Sequence, residues 1–435
     1  MRFIFTFAAV AYLLIYAFEG AVRYGLYSMG MDDAILLRDG LVIGPVLLLL
    51  VVQAFRIRVH PAFGVFAFIV ALHGGIAALN LHTALPAIYG AKLLVTVLFG
   101  FFVGRELTQP SRLVLGIFVL VWVASVVGIA LDKFVYTFPW TGLETHVGGI
   151  KVDVSRGWDI DGGFEKRVAG FSRSSISAAM LVPTIAMVIA PRIRNWPVRA
   201  VVLALSVAAA AFTTQKGALA AAGAVAVILL GPAYLRFGLL RLACMGFILI
   251  DILLPFVTAG LMMPQNGGVF SFASFAMRIM RTWPDAWQWI GSNDVFPFGV
   301  GLGGIGGAQR FYAANFFNPS DNMFVFLYAN FGVASIVYLA WIGALGRGLP
   351  EELRPAAIAP LAALAFNLGY GAALSMLEDQ VSALFLGAAA GMLWQLHQQA
   401  RAGLWSDPYA GARMRLQSPV AAHYYPGGGR AVKAR

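Results

Sequence analysis

Long apolar segments recur along almost the whole chain, and they constrain its fold more than any other feature. A bilayer core about 30 Å thick needs about 20 apolar residues per helix, and the segments have roughly this length. Apolar residues make up 60% of the chain and charged residues 12%, about half the charged share of a soluble domain. The sequence therefore predicts an all-α polytopic membrane protein and excludes a soluble or disordered chain. Twelve candidate spans lie at about 3–18, 40–55, 61–80, 86–104, 113–131, 174–190, 198–213, 217–232, 240–259, 323–345, 355–372 and 381–397.

The positive charge of the chain is distributed unevenly along these spans. There are 31 Lys and Arg against 20 Asp and Glu, a net charge of +11. If the N-terminus lies inside, most of the basic residues fall in short inner connections and in the C-terminal tail, as in the cytoplasmic loops of membrane proteins. The charge therefore indicates topology, and nucleic acid is not an expected partner. We expect one transmembrane domain over 1–397, a flexible basic tail over 398–435, and both termini in the cytoplasm.

This topology leaves two long loops, about 132–173 and 260–322, and both lie on the outer side. Loops of this length without secondary structure are uncommon in compact folds and are often functional. The inner connections are short and basic. Any chemistry is therefore expected on the outer face.

Basic residues stand at the outer ends of two spans. Arg167 and Arg173 flank Gly170 just before the sixth span, and Lys216 lies in the tight turn between the seventh and eighth. Arginine presents a planar fork of donors to phosphate oxygens, and a helix start adds free N–H groups. These residues indicate a phosphate site, but contact with lipid headgroups or a snorkelling lysine would look the same.

The second long loop carries a further set of candidates. Arg278 and Arg281 are spaced to share one face of a helix, and three tryptophans follow them. A glycine-rich stretch at 296–307 lacks the Lys-Ser/Thr ending of a P-loop, so its glycines are expected to permit tight turns and close helix approach. Asp321, near the end of the loop, is expected either to cap the next helix or to act as a general base.

Taken in their order along the chain, these segments resemble the O-antigen polymerase/ligase superfamily of bacterial inner-membrane glycosyltransferases. Within that superfamily, they resemble the exopolysaccharide polymerases most. The similarity is carried by Arg167-Val-Ala-Gly170-Phe, Gln215-Lys216-Gly217, Arg278 and Arg281 before the tryptophans, Phe298-Gly-Val-Gly-Leu-Gly303, Asp321-Asn322 and Asn330-Phe-Gly332. The family commonly has a histidine at the position of Asp321 in its ligases, an arginine at Lys216 and an acid at Asn330. The missing histidine favours a repeat-unit polymerase over a ligase.

The resemblance implies a reaction on the periplasmic face. An oligosaccharide on undecaprenyl pyrophosphate would be the donor, transferred with inversion and without a metal or other cofactor. A chain-length regulator or export protein is a candidate partner. An O-antigen ligase and a twelve-span transporter or flippase of lipid-linked glycans are the alternatives. Residues expected to bind pyrophosphate or substrate are Arg167, Arg173, Lys216, Arg278, Arg281 and Asn322; candidate bases are Asp321 first, then Glu378 and Asp379, then His146.

Two charged residues fall within predicted spans. Lys92 lies in the fourth span and Asp251 in the ninth, each roughly 9–12 Å below the outer edge at 1.5 Å per residue. Charges at this depth are costly unless they are paired or functional. We expect a Lys92–Asp251 ion pair, with a proton-coupled path as the alternative.

Overall fold

The computed structural model describes residues 1–57, 59–147, 150–155, 167–259, 261, 273–292 and 296–403. The tail beyond 403 and parts of both long loops lie outside the described residues. Eighteen α-helices and one antiparallel hairpin form in this part of the chain. The helices are α1 Arg2–Ala17, α2 Glu19–Ser28, α3 Leu37–Phe55, α4 Pro61–Leu81, α5 Leu85–Phe102, α6 Gly104–Thr108, α7 Arg112–Phe134, α8 Ser175–Ile189, α9 Trp196–Phe212, α10 Lys216–Leu230, α11 Ala233–Val257, α12 Ala273–Met277, α13 Trp283–Gly291, α14 Gln309–Tyr312, α15 Met323–Phe331, α16 Ala334–Ala344, α17 Arg354–Gly371 and α18 Gln380–Arg401; the strands are β1 Glu144–Val147 and β2 Ile150–Asp153.

A helix covers each of the twelve predicted apolar segments, so the helical class is confirmed. Among the described residues, six helices are long and apolar enough to cross a membrane, and a seventh arises if α1 and α2, bent by 79°, count as one span. The segment predicted at 323–345 is broken by Gly332 into α15 and α16. The protein is thus a helical, membrane-embedded protein, whereas twelve crossings and periplasmic loops stay predictions.

Helices α5 and α6 pack against α18 through four glycines spaced in pairs. Gly100 and Gly104 face Gly387 and Gly391, and a Cβ atom on any of the four would overlap backbone atoms of the opposite segment. Small residues at this spacing let transmembrane helices approach closely. The contact therefore joins the end of α5 and the start of α6 to the last helix of the described chain.

The polar residues that link helix ends divide between the two ends of the bundle. At one end, Arg2 pairs with Glu106 at 2.7 Å, and Arg192 donates to the carbonyl of Thr108 at 3.2 Å. At the other end, the hydroxyl of Tyr16 donates to Asp379. We call the second end the site end, because every candidate site residue in the described part lies there.

The glycine-rich loop packs as the sequence predicts. Gly299, Gly301 and Gly303 have φ angles of +72°, +104° and +80°, a region that side chains strongly disfavour. A Cβ atom on these glycines would meet the backbone of α15, of Ala77 in α4 and of Pro86 in α5, respectively. The loop is therefore wedged among three helices at the site end.

Candidate functional site

Three cations from distant parts of the chain converge at the site end, and we call Arg167, Lys216 and Arg278 with Asp321 the basic cluster. Arg278 Nε lies 3.3 Å from Asp321 Oδ2, and its Nη2 donates to the carbonyl of Ala373 at 3.2 Å. Burial and the neighbouring charge of Arg278 lower the pKa of Arg167. Lys216 lies close enough to Arg167 for their charges to repel. Within this cluster, three positive charges lie near one carboxylate, so the cluster favours the binding of an anion.

Local backbone geometry presents this cluster. Arg278 begins a π-helical turn at Arg278–Thr282, and such turns often occur at functional sites. On the facing segment, Ser320 and Asp321 have φ angles of +57° and +43°. Non-glycine residues in this region store strain. The strained turn directs the Asp321 carboxylate to Arg278.

A chain of neutral polar groups lies beside the cations. The Tyr370 hydroxyl donates to Gln215 Oε1 at 3.2 Å, and Gln215 Nε2 donates to Ser175 Oγ at 3.1 Å. Tyr370 also lies within electrostatic reach of the basic cluster. The sequence reasoning missed Tyr370, since a tyrosine near the end of an apolar helix carries no distinctive local signal.

Glu378 lies next to the basic cluster and has an unusual environment. Its carboxylate accepts a hydrogen bond from the backbone N–H of Gly307 and a longer one of 3.4 Å from Ser375 Oγ. Burial and, to a smaller extent, the charge of Asp321 raise the pKa of Glu378 to about 7, against the lowering effect of these hydrogen bonds and of the charge of Arg310. A carboxyl with a pKa near neutrality is suited to general base catalysis.

Asp379 has a different environment from its neighbour. One carboxylate oxygen accepts the N–H of Ser382 at 2.9 Å and caps α18, and the other accepts the Tyr16 hydroxyl. Burial raises the pKa of Asp379 to about 6. Asp379 thereby anchors α18 against α1. It is a weaker candidate base than Glu378, because both of its oxygens accept close hydrogen bonds, whereas one oxygen of Glu378 has only the 3.4 Å contact with Ser375.

Two residues predicted to bind substrate are placed elsewhere. Asn322 is fully buried; its Oδ1 accepts the N–H of Val325 at 3.0 Å and its Nδ2 donates to the carbonyl of Asp251 at 3.2 Å. It caps α15 and shapes the site without facing it. Arg281 is exposed, since the π-helical turn breaks the α-helical spacing from which a face shared with Arg278 was expected.

Arg173 belongs to a second set of charges. Glu19 pairs with Arg23 at 2.8 Å and with Arg38 at 2.9 Å, and Arg173 lies within electrostatic reach of Glu19. Asp39, the residue after Arg38, pairs with Lys92 at 2.5 Å. We call these residues, Glu19, Arg23, Arg38, Asp39, Lys92 and Arg173, the N-terminal ionic network.

The Lys92–Asp39 pair shows that the predicted Lys92–Asp251 pair is wrong. Asp251 is fully buried in α11, and its carboxylate has no hydrogen-bond partner among the described residues. A Cβ atom on Gly371 would lie 3.1 Å from its Oδ2. The error arose because depth in the membrane limits which charges can pair but does not say which helices are neighbours.

His146 lies in β1, and its side chain is outside the described part. The structure thus brings together Arg167, Lys216, Arg278, Asp321 and Glu378. Of the other predicted residues, Arg173 lies near Glu19, Arg281 is exposed, and Asn322 is buried in its cap of α15. The set can bind an anionic group and offers a carboxylate beside it that is partly protonated near neutrality. Among known protein families, curated proteins and solved structures, nothing matches this chain.

Proposed function

We propose that the protein polymerises undecaprenyl-pyrophosphate-linked oligosaccharide repeat units into exopolysaccharide or O-antigen at the outer face of the bacterial inner membrane. The observation that carries this proposal is the convergence of Arg167, Lys216 and Arg278 at the site end. They come from three separate segments of the chain, of which the first and the last are more than a hundred residues apart. The resemblance of the same residues to a glycosyltransferase superfamily supports a pyrophosphate as the anion.

In this mechanism, the cations act on the departing pyrophosphate. The bond between sugar C1 and the phosphate oxygen breaks, and negative charge grows on that oxygen. Preorganised cations stabilise such charge most strongly in the transition state. Before the donor binds, Asp321 balances part of the charge of Arg278, and the pyrophosphate replaces it.

An acceptor hydroxyl attacks C1 from the opposite face, forms the new glycosidic bond and inverts the configuration. Its proton passes to a carboxylate. Asp321 was the first candidate from the sequence, but its pairing with Arg278 makes it a poorer acceptor. Glu378 is better suited than Asp321 to accept the proton, because its pKa of about 7 lets it take up a proton near neutral pH.

Polymer analysis in a deletion strain tests the proposal. We expect wild type to restore high-molecular-weight polysaccharide and Arg278→Ala to leave single lipid-linked repeat units on the outer leaflet. Arg281→Ala is the matched control, since the same residue type in the same turn lies outside the cluster. Units that accumulate on the inner leaflet would instead indicate a flippase. Intact polymer that fails to reach the lipid A core would indicate a ligase.

A further inference from the structure

An apolar groove runs between three helices of the N-terminal half. It is half open, has a volume of about 390 Å³, and has an apolar lining. Helix α5 packs against both α3 and α4, and the groove lies between them. Six of the residues that line it are Val46, Leu50, Phe63, Gly64, Val95 and Leu98.

An ion pair lies beyond the outer end of this groove. Lys92 lies about one turn before Val95 in α5, and Asp39 lies about one turn before Ile43 in α3, which places them about 4.5 and about 6 Å further out along their helices. Lys92 Nζ contacts Asp39 Oδ2, yet 39% of the Lys92 side chain is exposed. The groove therefore has an apolar body, and about one turn beyond its outer end lies a partly exposed lysine that pairs with Asp39.

This outer end lies on the same side of α5 as the candidate site. Tyr89 stands three residues before Lys92, which places both on one helix face. A Cβ atom on Gly307 would lie 2.7 Å from the Tyr89 hydroxyl and 3.1 Å from Glu378 Oε1. Beyond a headgroup at Lys92, Tyr89 would therefore lie about one turn further out on α5, and Glu378 would lie beyond Tyr89.

We propose that this groove binds the chain of a polyisoprenyl phosphate, with the phosphate at Lys92. A cation above an uninterrupted apolar groove complements a lipid with an anionic head, since the chain gains burial and the phosphate gains a charge-assisted hydrogen bond. A single groove with one cation beyond its outer end suits a lipid with one chain better than a glycerolipid with two. The choice of an isoprenoid rests on the proposed function; a lipid that carries the acceptor glycan would then lie opposite the basic cluster.

Photocrosslinking of the full chain in nanodiscs tests this site. The probe is undecaprenyl monophosphate with a diazirine on an isoprene unit near the phosphate, because a groove of about 390 Å³ can hold only the first few units. Peptide mass spectrometry maps the labelled residues. We expect label on α3, α4 and α5. Even labelling of lipid-facing helices throughout the protein, or equal displacement by dioleoyl phosphatidylglycerol, would show bulk lipid and overturn the proposal.

Matched glycine variants sharpen the test. Gly64 in α4 lines the groove, while Gly116 in α7 lies outside it, and a Cβ atom on either would meet nothing within 4 Å. Gly64→Trp should reduce labelling about tenfold, a loss of about 1.4 kcal/mol, and Gly116→Trp should leave it unchanged. Ala67→Trp, also in the groove, should act like Gly64→Trp. Equal labelling in all three would refute the site.

The headgroup contact has its own test. The phosphate probe should label the protein more strongly than the corresponding uncharged polyprenol does. Lys92→Gln should reduce this ratio of labelling about fivefold, while Lys92→Arg should keep it. An unchanged ratio in Lys92→Gln would contradict a phosphate at this position. Crosslinking requires no turnover, so a protein that binds the probe in the groove but makes no polymer would refute the proposed function alone.

Discussion

The basic cluster and the N-terminal ionic network lie at the same end of the bundle and use the same residue types, yet they differ in pairing distance and in exposure. At the centre of the network, the side chains of Glu19 and Arg38 are 3% and 7% exposed, and Glu19 pairs with Arg23 and Arg38 at 2.8 and 2.9 Å. In the cluster, Arg278 and Asp321 are 18% and 29% exposed and lie 3.3 Å apart. Closely paired buried charges hold helices in place, whereas charges that are partly exposed and more loosely paired stay accessible to a ligand.

Removal of the central cation of the cluster should have the largest effect on function. Arg278→Ala should lower polymer synthesis by about 100-fold or more, comparable with the loss of one preorganised donor to a transition-state anion. The midpoint of thermal unfolding should move little, since Arg278 is partly exposed. Synthesis rate and unfolding midpoint are measured on the same purified protein, and a folded Arg278→Ala protein with normal synthesis would remove the distinction between the two regions.

The network should show the opposite pattern. Arg38→Ala leaves Glu19 with a weaker set of partners in a buried position and should destabilise the protein by about 3 kcal/mol. The protein that remains folded should keep near-normal turnover. Unfolding in detergent and activity per folded molecule check this expectation, with Arg2→Ala at the opposite end, where the arginine is 43% exposed, as the control. Loss of turnover without loss of stability would place the network in the active site.

The pH dependence of synthesis should identify the base. The pKa of Glu378 is raised to about 7, so the carboxylate form is lost as pH falls below 7. We expect the rate to fall about tenfold per pH unit in that range, and Glu378→Gln to remove this dependence together with most activity. For stability the sign is reversed: the protonated form favours the folded state, and this contribution is lost as pH rises through about 7. If Asp379→Asn, and not Glu378→Gln, abolished the acid limb, the base would be misassigned.

The smallest effect is expected from a change that preserves charge. Lys216→Arg restores the residue type common in the resembling family and keeps a cation near Arg167. We expect synthesis within about threefold of wild type, because one charged donor replaces another. Lys216→Ala, measured beside it, should lose at least ten times more activity; equal behaviour of the two would show that Lys216 is only an interfacial lysine.

Much of the helical layout could be read from local patterns, and the errors have a common cause. The ends of most helices lie within a few residues of the predicted segment ends. This agreement arises because a long apolar segment must be buried in lipid or against neighbouring helices. The break at Gly332 and the π-helical turn at Arg278–Thr282 were missed, since both depend on packing at the site end. Asn322 caps α15 through the nearby Val325, but its second partner, the carbonyl of Asp251, lies far along the chain and could not be read from a local pattern.

The sequence by itself determined the all-α membrane class, the grouping of basic residues and the glycines that must pack closely. Hydropathy and charge decide these properties residue by residue. Only the tertiary structure decided which charges meet. Arg167 lies near Arg278, whereas Arg173, six residues later, lies near Glu19. Lys92 pairs with Asp39. The physical reason is that such partners depend on which helices are neighbours, and close contacts such as that of Gly100 and Gly104 with Gly387 and Gly391 establish this only when the whole bundle packs.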